Sequence, residues 1–220
     1  MEITFNNVDI TKCLEYSSAY FIGSYLIVTL FVLYLFIQDK RVGIAVSIFS
    51  LFTLCFIPYT IGYLPLTMIK LMLVVFGSFI LFVSLTYNCF QDIVNKILTT
   101  IVRLNFLVLI FSANHIFIIL SLIFLTITTP IFTVQNKKVK MESMLIPKDL
   151  WVVLSTIGLI IYYLFSSYFC SNASLVIIAV VIPFLMHFFN DTFLESRALS
   201  LCIFMIFNIL NNSKKVLMIL

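Results

Sequence analysis

The chain has 220 residues, 63% of them hydrophobic and 10% charged, with a formal net charge of +4. Soluble domains carry about 25% charged residues because their surface must be hydrated. With a mean hydropathy of +1.20, this composition excludes a water-soluble globule and calls for lipid over much of the surface.

The basic residues sit in short clusters between apolar runs, at Lys40-Arg41, Lys137-Lys138-Val139-Lys140 and Lys214-Lys215. That is where membrane proteins place positive charge for orientation and headgroup contact, and no basic patch with interleaved aromatics stands apart from them. The expected partners are the lipid bilayer and other membrane subunits, not nucleic acid. Phe, Ile, Asn and Lys are used heavily, which fits an AT-rich genome such as that of an organelle, a protist or a large DNA virus.

The N-terminal segment 1–15 has no basic n-region and no small-residue cleavage site, so it reads as a short exoplasmic or lumenal tail, not a signal peptide. A membrane-crossing helix needs about 20 mainly apolar residues. Such runs follow at 16–37, 42–62 and 66–87, separated by Gln38-Asp39-Lys40-Arg41 and by a turn flanked by Pro58 and Pro65. Lys70, one turn inside the third run, is placed to snorkel to the interface.

The stretch 93–134 has two readings. In one, a single span follows an interfacial amphipathic helix: Ile93, Val94, Ile97, Leu98, Ile101 and Val102 recur at helical spacing opposite Asn95, Lys96, Thr99 and Arg103. In the other it is a helical hairpin, 93–111 and 115–133, turning at Ser112-Ala113-Asn114-His115. Runs at 151–170, 174–190 and 197–211 complete the chain, and 135–150 is a basic cytoplasmic loop.

Charge favours the hairpin. With eight spans, Lys40, Arg41, Lys96, Lys137, Lys138, Lys140, Lys148 and Arg197 share one side, and only Lys12, Lys214 and Lys215 fall on the other. The positive-inside rule makes the first side cytoplasmic and both termini exoplasmic or lumenal. The expected fold is therefore an all-α polytopic helix bundle of about eight spans, forming a single membrane domain. The alternative is seven spans plus an interfacial helix.

Ionisable groups inside a membrane cost about 2.5–3.5 kcal/mol each on insertion scales and are functional candidates by default. Arg103 lies midway along the fourth run beside Thr99, Thr100 and Asn105, and is expected to face the bundle interior. His187, Asp191 and Glu195 are spaced four apart, so a continuous helix stacks them on one face. Pro183, one turn before His187, has no N–H for the Ala179 carbonyl, which must find another donor. These residues mark the place where the helix leaves the membrane, or bind a divalent cation through the His and the two carboxylates, or, with Arg103, line a polar pathway for protons or cations.

Ala19 with Gly23, and Gly43 with Ser47, are small-xxx-small pairs suited to close helix contact, and Asn208 is a candidate interhelical donor. The five cysteines show no C-x-x-C spacing and read as core residues, with Cys13 and Cys170 on the same side of the bundle and open to pairing. No nucleophile elbow, metalloprotease motif or Gly-rich phosphate loop is present, and there are two histidines. The sequence thus points to a non-catalytic structural or accessory membrane subunit without a cofactor. A small ion or proton channel or transporter is the alternative.

Overall fold

A computed structural model describes residues 19–56, 65–89, 91–113, 115–142, 145–165 and 173–217. It is mostly helical, as expected. Eight helices are described: α1 (Ala19–Gln38), α2 (Arg41–Phe56), α3 (Pro65–Tyr87), α4 (Gln91–Ser112), α5 (Ile116–Ile127), α6 (Lys148–Phe165), α7 (Ala173–Asn190) and α8 (Phe193–Leu217). Strands β1 (Ile131–Gln135) and β2 (Lys138–Glu142) form a hairpin between α5 and α6. Cys13, Asn114 and Cys170, and the side chains of Ala19, Lys70 and Asn208, lie outside the described residues.

Among the described residues, three helices are by length and composition able to cross a membrane: Tyr20–Gln38, Gln91–Ser112 and Lys148–Phe165. The apolar helical stretches Arg41–Leu54, Leu71–Tyr87, Ile116–Ile127 and Ile177–Asn190 are shorter.

Helix ends follow local chemistry. Asn88 and Asp191 adopt left-handed backbone, φ 56° and 51°, directly after α3 and α7. Their N–H groups bond back to the carbonyls of Ser84 and His187 at 2.9 and 3.0 Å. Short polar side chains tolerate this conformation, which stops a helix while satisfying one of its last carbonyls. Asp39 Oδ1 accepts the Arg41 N–H at 2.9 Å and starts α2.

The fifth apolar run, expected to be helical over 115–133, stops at Ile127. Thr126, Thr128 and Thr129 turn their hydroxyls onto the carbonyls of Leu122, Phe124 and Leu125, and Pro130 disfavours helical backbone at the residue before it. The chain then becomes β1. Residues 135–150 are accordingly not a plain loop: they hold most of an antiparallel hairpin pairing Ile131 with Glu142 through Gln135 with Lys138. Its two turn residues, Asn136 and Lys137, both have positive φ, 51° and 59°, the geometry of a tight type I′ turn. Phe132, Val134 and Val139 are buried on one face, while Gln135, Lys138, Lys140 and Glu142 are exposed on the other.

Helices adjacent in sequence are neighbours in space, α1 returns to touch α7, and α8 packs against α1, α2, α3 and α7. The described chain thus forms a ring closed around its last helix, whose Leu199, Cys202, Ile203, Phe204 and Met205 are buried. Small residues set the closest approach. A Cβ on Gly43 would lie 2.6 Å from the Phe82 ring, and Ser47 beside it is fully buried. Gly23 has open space around it.

α4 and α5 form an antiparallel helical hairpin. At its turn Ser112 Oγ lies 2.6 Å from the Tyr162 hydroxyl of α6. At its other end the chain comes back level with the start of α4, because the Phe132 and Val134 N–H groups bond Thr99 Oγ1 and Asn95 Oδ1 at 3.0 and 2.6 Å. This is geometry within the protein; the side chains that the amphipathic reading assigned to water, Asn95 and Thr99, hold the hairpin.

Candidate functional site

The polar residues singled out from the sequence fall at one end of the bundle, beneath and beside the β-hairpin, with one exception. His187, in the last turn of α7, is buried, and its Nε2 lies 2.8 Å from Asp149 Oδ1 at the start of α6. An ionised carboxylate only accepts, so the imidazole donates here. His187 Nδ1 lies 3.4 Å from Asp191 Oδ1, in electrostatic reach without hydrogen-bond alignment. Asp191 in turn pairs with Lys148 at 3.3 Å. Both aspartates are exposed, so the buried imidazole sits between two carboxylates that meet solvent.

Glu195, one turn further into α8, is buried, and its Oε1 accepts the Val139 N–H of β2 at 3.1 Å. In the hairpin register the N–H groups of residues 132, 134 and 139 point away from the partner strand. Thr99, Asn95 and Glu195 are therefore side chains that take up donors on both hairpin edges. Glu195 Oε2 has no hydrogen-bond partner. Burial pushes its carboxyl above the usual range, opposed by its backbone bonds and by the charge of Lys40. Lys40 is moved the other way: burial lowers it and nearby Lys138 adds to that, while Glu195 opposes. The Lys40 ammonium also sits 4.0 Å above the Phe36 ring.

Beneath the hairpin, Trp151 of α6 is packed edge-on among Phe132, Phe106 and Phe193 with centroids 6.0–6.2 Å away. Next to it lies a cavity of about 70 Å³ between α3, α4, α6 and α8. Its walls are mainly apolar, with Ser78, Asn105, Ser155 and Arg197 as the polar lining. Arg197 Nη1 and Asn105 Oδ1 are both shielded from solvent and without a hydrogen-bond partner.

The exception is Arg103. It is exposed, in the outward stripe of α4 with Lys96, Thr100, Leu104 and Leu107, and does not face the interior with His187, Asp191 and Glu195. The inward-facing arginine is Arg197. Asp149, Arg197 and Asn105 carry roles that the sequence reading did not assign. The signal available for Asp149 was its sidedness: it shares the basic side of the chain with His187. Among the described residues, no group of three His, Cys, Asp or Glu side chains is placed to hold a metal ion.

No protein-family model, no curated protein and no solved structure matches this chain.

Proposed function

We propose that the chain is a multi-pass integral membrane protein of eight spans that acts as a non-catalytic accessory subunit, seated against a second membrane protein through the outer face of α4. The observation that carries this reading is Arg103. On a helix rising 1.5 Å per residue, it lies about 18 Å from the start of α4 and about 14 Å from its end. An exposed guanidinium at that depth meets hydrocarbon, at a cost of about 2.5–3.5 kcal/mol on insertion scales. A carboxylate on a neighbouring helix removes the cost. None of the chain's nine acidic residues falls in a stretch read as a span, so a second copy has no acid to offer at that depth and the partner is a different protein.

The use of the remaining polar groups supports the same reading. His187, Asp149, Asp191, Lys148 and Glu195 fasten α6, α7, α8 and the hairpin to one another at one end, and the ring interior is filled by Phe, Leu and Trp. With the basic hairpin on the cytoplasmic side, both termini are exoplasmic or lumenal.

The test is a photo-crosslinker at Leu107, exposed on the same stripe as Arg103, activated in native membranes. The expected product is one discrete membrane protein, lost in Arg103→Glu and absent from a crosslinker at Phe52 of α2. Capture of lipid alone at Leu107, or a product indifferent to Arg103→Glu, overturns the reading. One observation favours a conduit instead: buried Glu195 and His187 lie behind two solvent-facing aspartates. Proton or cation flux in liposomes that collapses in Asp191→Asn would establish it, and flux no greater than that of empty liposomes is expected.

A further inference from the structure

We propose that the cavity between α3, α4, α6 and α8 is a binding site for an oxyanion, a phosphate or carboxylate, carried on an acyl-chain amphiphile. The inference rests on the chain lying in a bilayer and is independent of the accessory role.

Arg197 borders this space from α8. Its Nη1 is buried with no acceptor, and among the described residues no carboxylate pairs with it. The group acting on it electrostatically is the Tyr163 phenol, which is neutral at ordinary pH, and the Phe193 ring, 5.8 Å away, offers only a quadrupole. Arg197 as a whole is half-buried, but a guanidinium nitrogen shielded from water with neither acceptor nor counter-charge is unfavourable, and an anion beside it is the usual resolution. Asn105, whose Oδ1 is equally unpartnered, lines the same space; with its amide turned, the NH₂ becomes a second donor. The Ser78 and Ser155 hydroxyls also line it, but each already donates to a carbonyl of its own helix, Val74 at 2.6 Å and Val152 at 3.0 Å, so the donors are those of Arg197 and Asn105.

Size and setting select the ligand. A cavity of about 70 Å³ holds several waters or one oxyanion with its first carbons, since one water needs about 10–15 Å³ on this measure. Ile101, Val102, Ala198 and Leu201 in the lining are only half-buried, so the space communicates with the bundle surface between apolar side chains. That exit suits an acyl chain. A free anion of the same size would satisfy the same donors.

Trp151, the chain's single tryptophan, lines the cavity and reports on it directly. The full chain in phosphatidylcholine nanodiscs is titrated with brominated phosphatidic acid or, in parallel, brominated phosphatidylcholine, and Trp151 fluorescence is followed. The expected result is saturable quenching by the anionic lipid beyond that by the zwitterionic one, reversed by unbrominated phosphatidic acid. Arg197→Gln should weaken it by about ten- to a hundredfold, the range for a lost hydrogen bond to a charged group. Ala198→Leu keeps the arginine and fills the space; it should also abolish the effect, and it decides the matter if Arg197→Gln does not fold. Lys96→Gln, on the outward face, should bind as wild type. Displacement of the brominated lipid by millimolar inorganic phosphate would support the site but reassign its occupant to a free anion. Equal quenching by the two lipids with no effect of phosphate, or undiminished anionic quenching in a folded Arg197→Gln or Ala198→Leu, would overturn the proposal.

Discussion

The Ser200 hydroxyl of α8 donates to the Ala179 carbonyl of α7 at 3.0 Å, taking up the acceptor that Pro183 leaves without a helical partner. Ser200 also ties in α1, because its own carbonyl accepts the Tyr25 hydroxyl at 3.2 Å. One serine thus joins three helices at a proline defect.

Ser200→Ala leaves the Ala179 carbonyl buried and unpaired, at an expected cost of about 1–3 kcal/mol. In Pro183→Ala a backbone N–H is restored to that carbonyl. The double variant should therefore lose less than the two single losses added together. A double-mutant cycle of unfolding in detergent, read by Trp151 fluorescence, measures the coupling; strict additivity would remove the proposed link.

Gly43 reverses a common substitution rule. Gly→Ala inside a helix ordinarily gains about 1 kcal/mol. Here the new methyl would sit 2.6 Å from Phe82 Cγ and 3.0 Å from Phe36 Cε2, two rings packed edge to face. Gly43→Ala should destabilise by about 1–3 kcal/mol as the rings are displaced, whereas Gly23→Ala, with open space around it, should be neutral or stabilising. Thermal melts of the two variants give opposite signs.

The hairpin turn carries a removable strain. Lys137 is a non-glycine residue at φ 59°, a conformation that costs an ordinary side chain about 1–2 kcal/mol. Lys137→Gly should stabilise the hairpin by about 0.5–1 kcal/mol and slow amide exchange in β1 and β2. Lys137→Ala, which removes the charge but keeps the strain, should not.

Glu195 makes stability depend on pH. Burial raises its carboxyl above the ordinary range in the folded state, so between the unfolded and folded values the native protein holds more protons than the unfolded chain. Its contribution is then fully present at acid pH and is lost as pH rises from the ordinary carboxylate range through the raised native value. Glu195→Gln keeps an acceptor for the Val139 N–H without the buried charge. Its melting temperature should vary less than wild type across that window, with a relative gain at neutral pH. Matching slopes for the two proteins would rule this out.

Much of the architecture is legible in the residues alone. Hydropathy and helical spacing mark eight apolar segments, each overlapping one described helix although the fifth runs six residues past the end of α5, and loop charges group Lys40, Lys138, Lys148 and Arg197 at one end, where Lys40, Glu195 and the hairpin do meet. The acceptor freed by Pro183 is likewise a matter of local covalent chemistry. The hairpin was hidden because Ile131 and Phe132 extend the apolar run of α5, and a short run cannot distinguish strand from helix by periodicity. Only tertiary packing decided between the two arginines. Arg103 and Arg197 both sit in or beside apolar stretches with polar neighbours, yet one faces outward and the other borders a cavity. The difference lies in which neighbouring helices cover each face. That is a property of long-range contacts, as are the pairing of His187 with Asp149 and of Glu195 with a strand edge, because the partners are brought together only when the ring closes around α8.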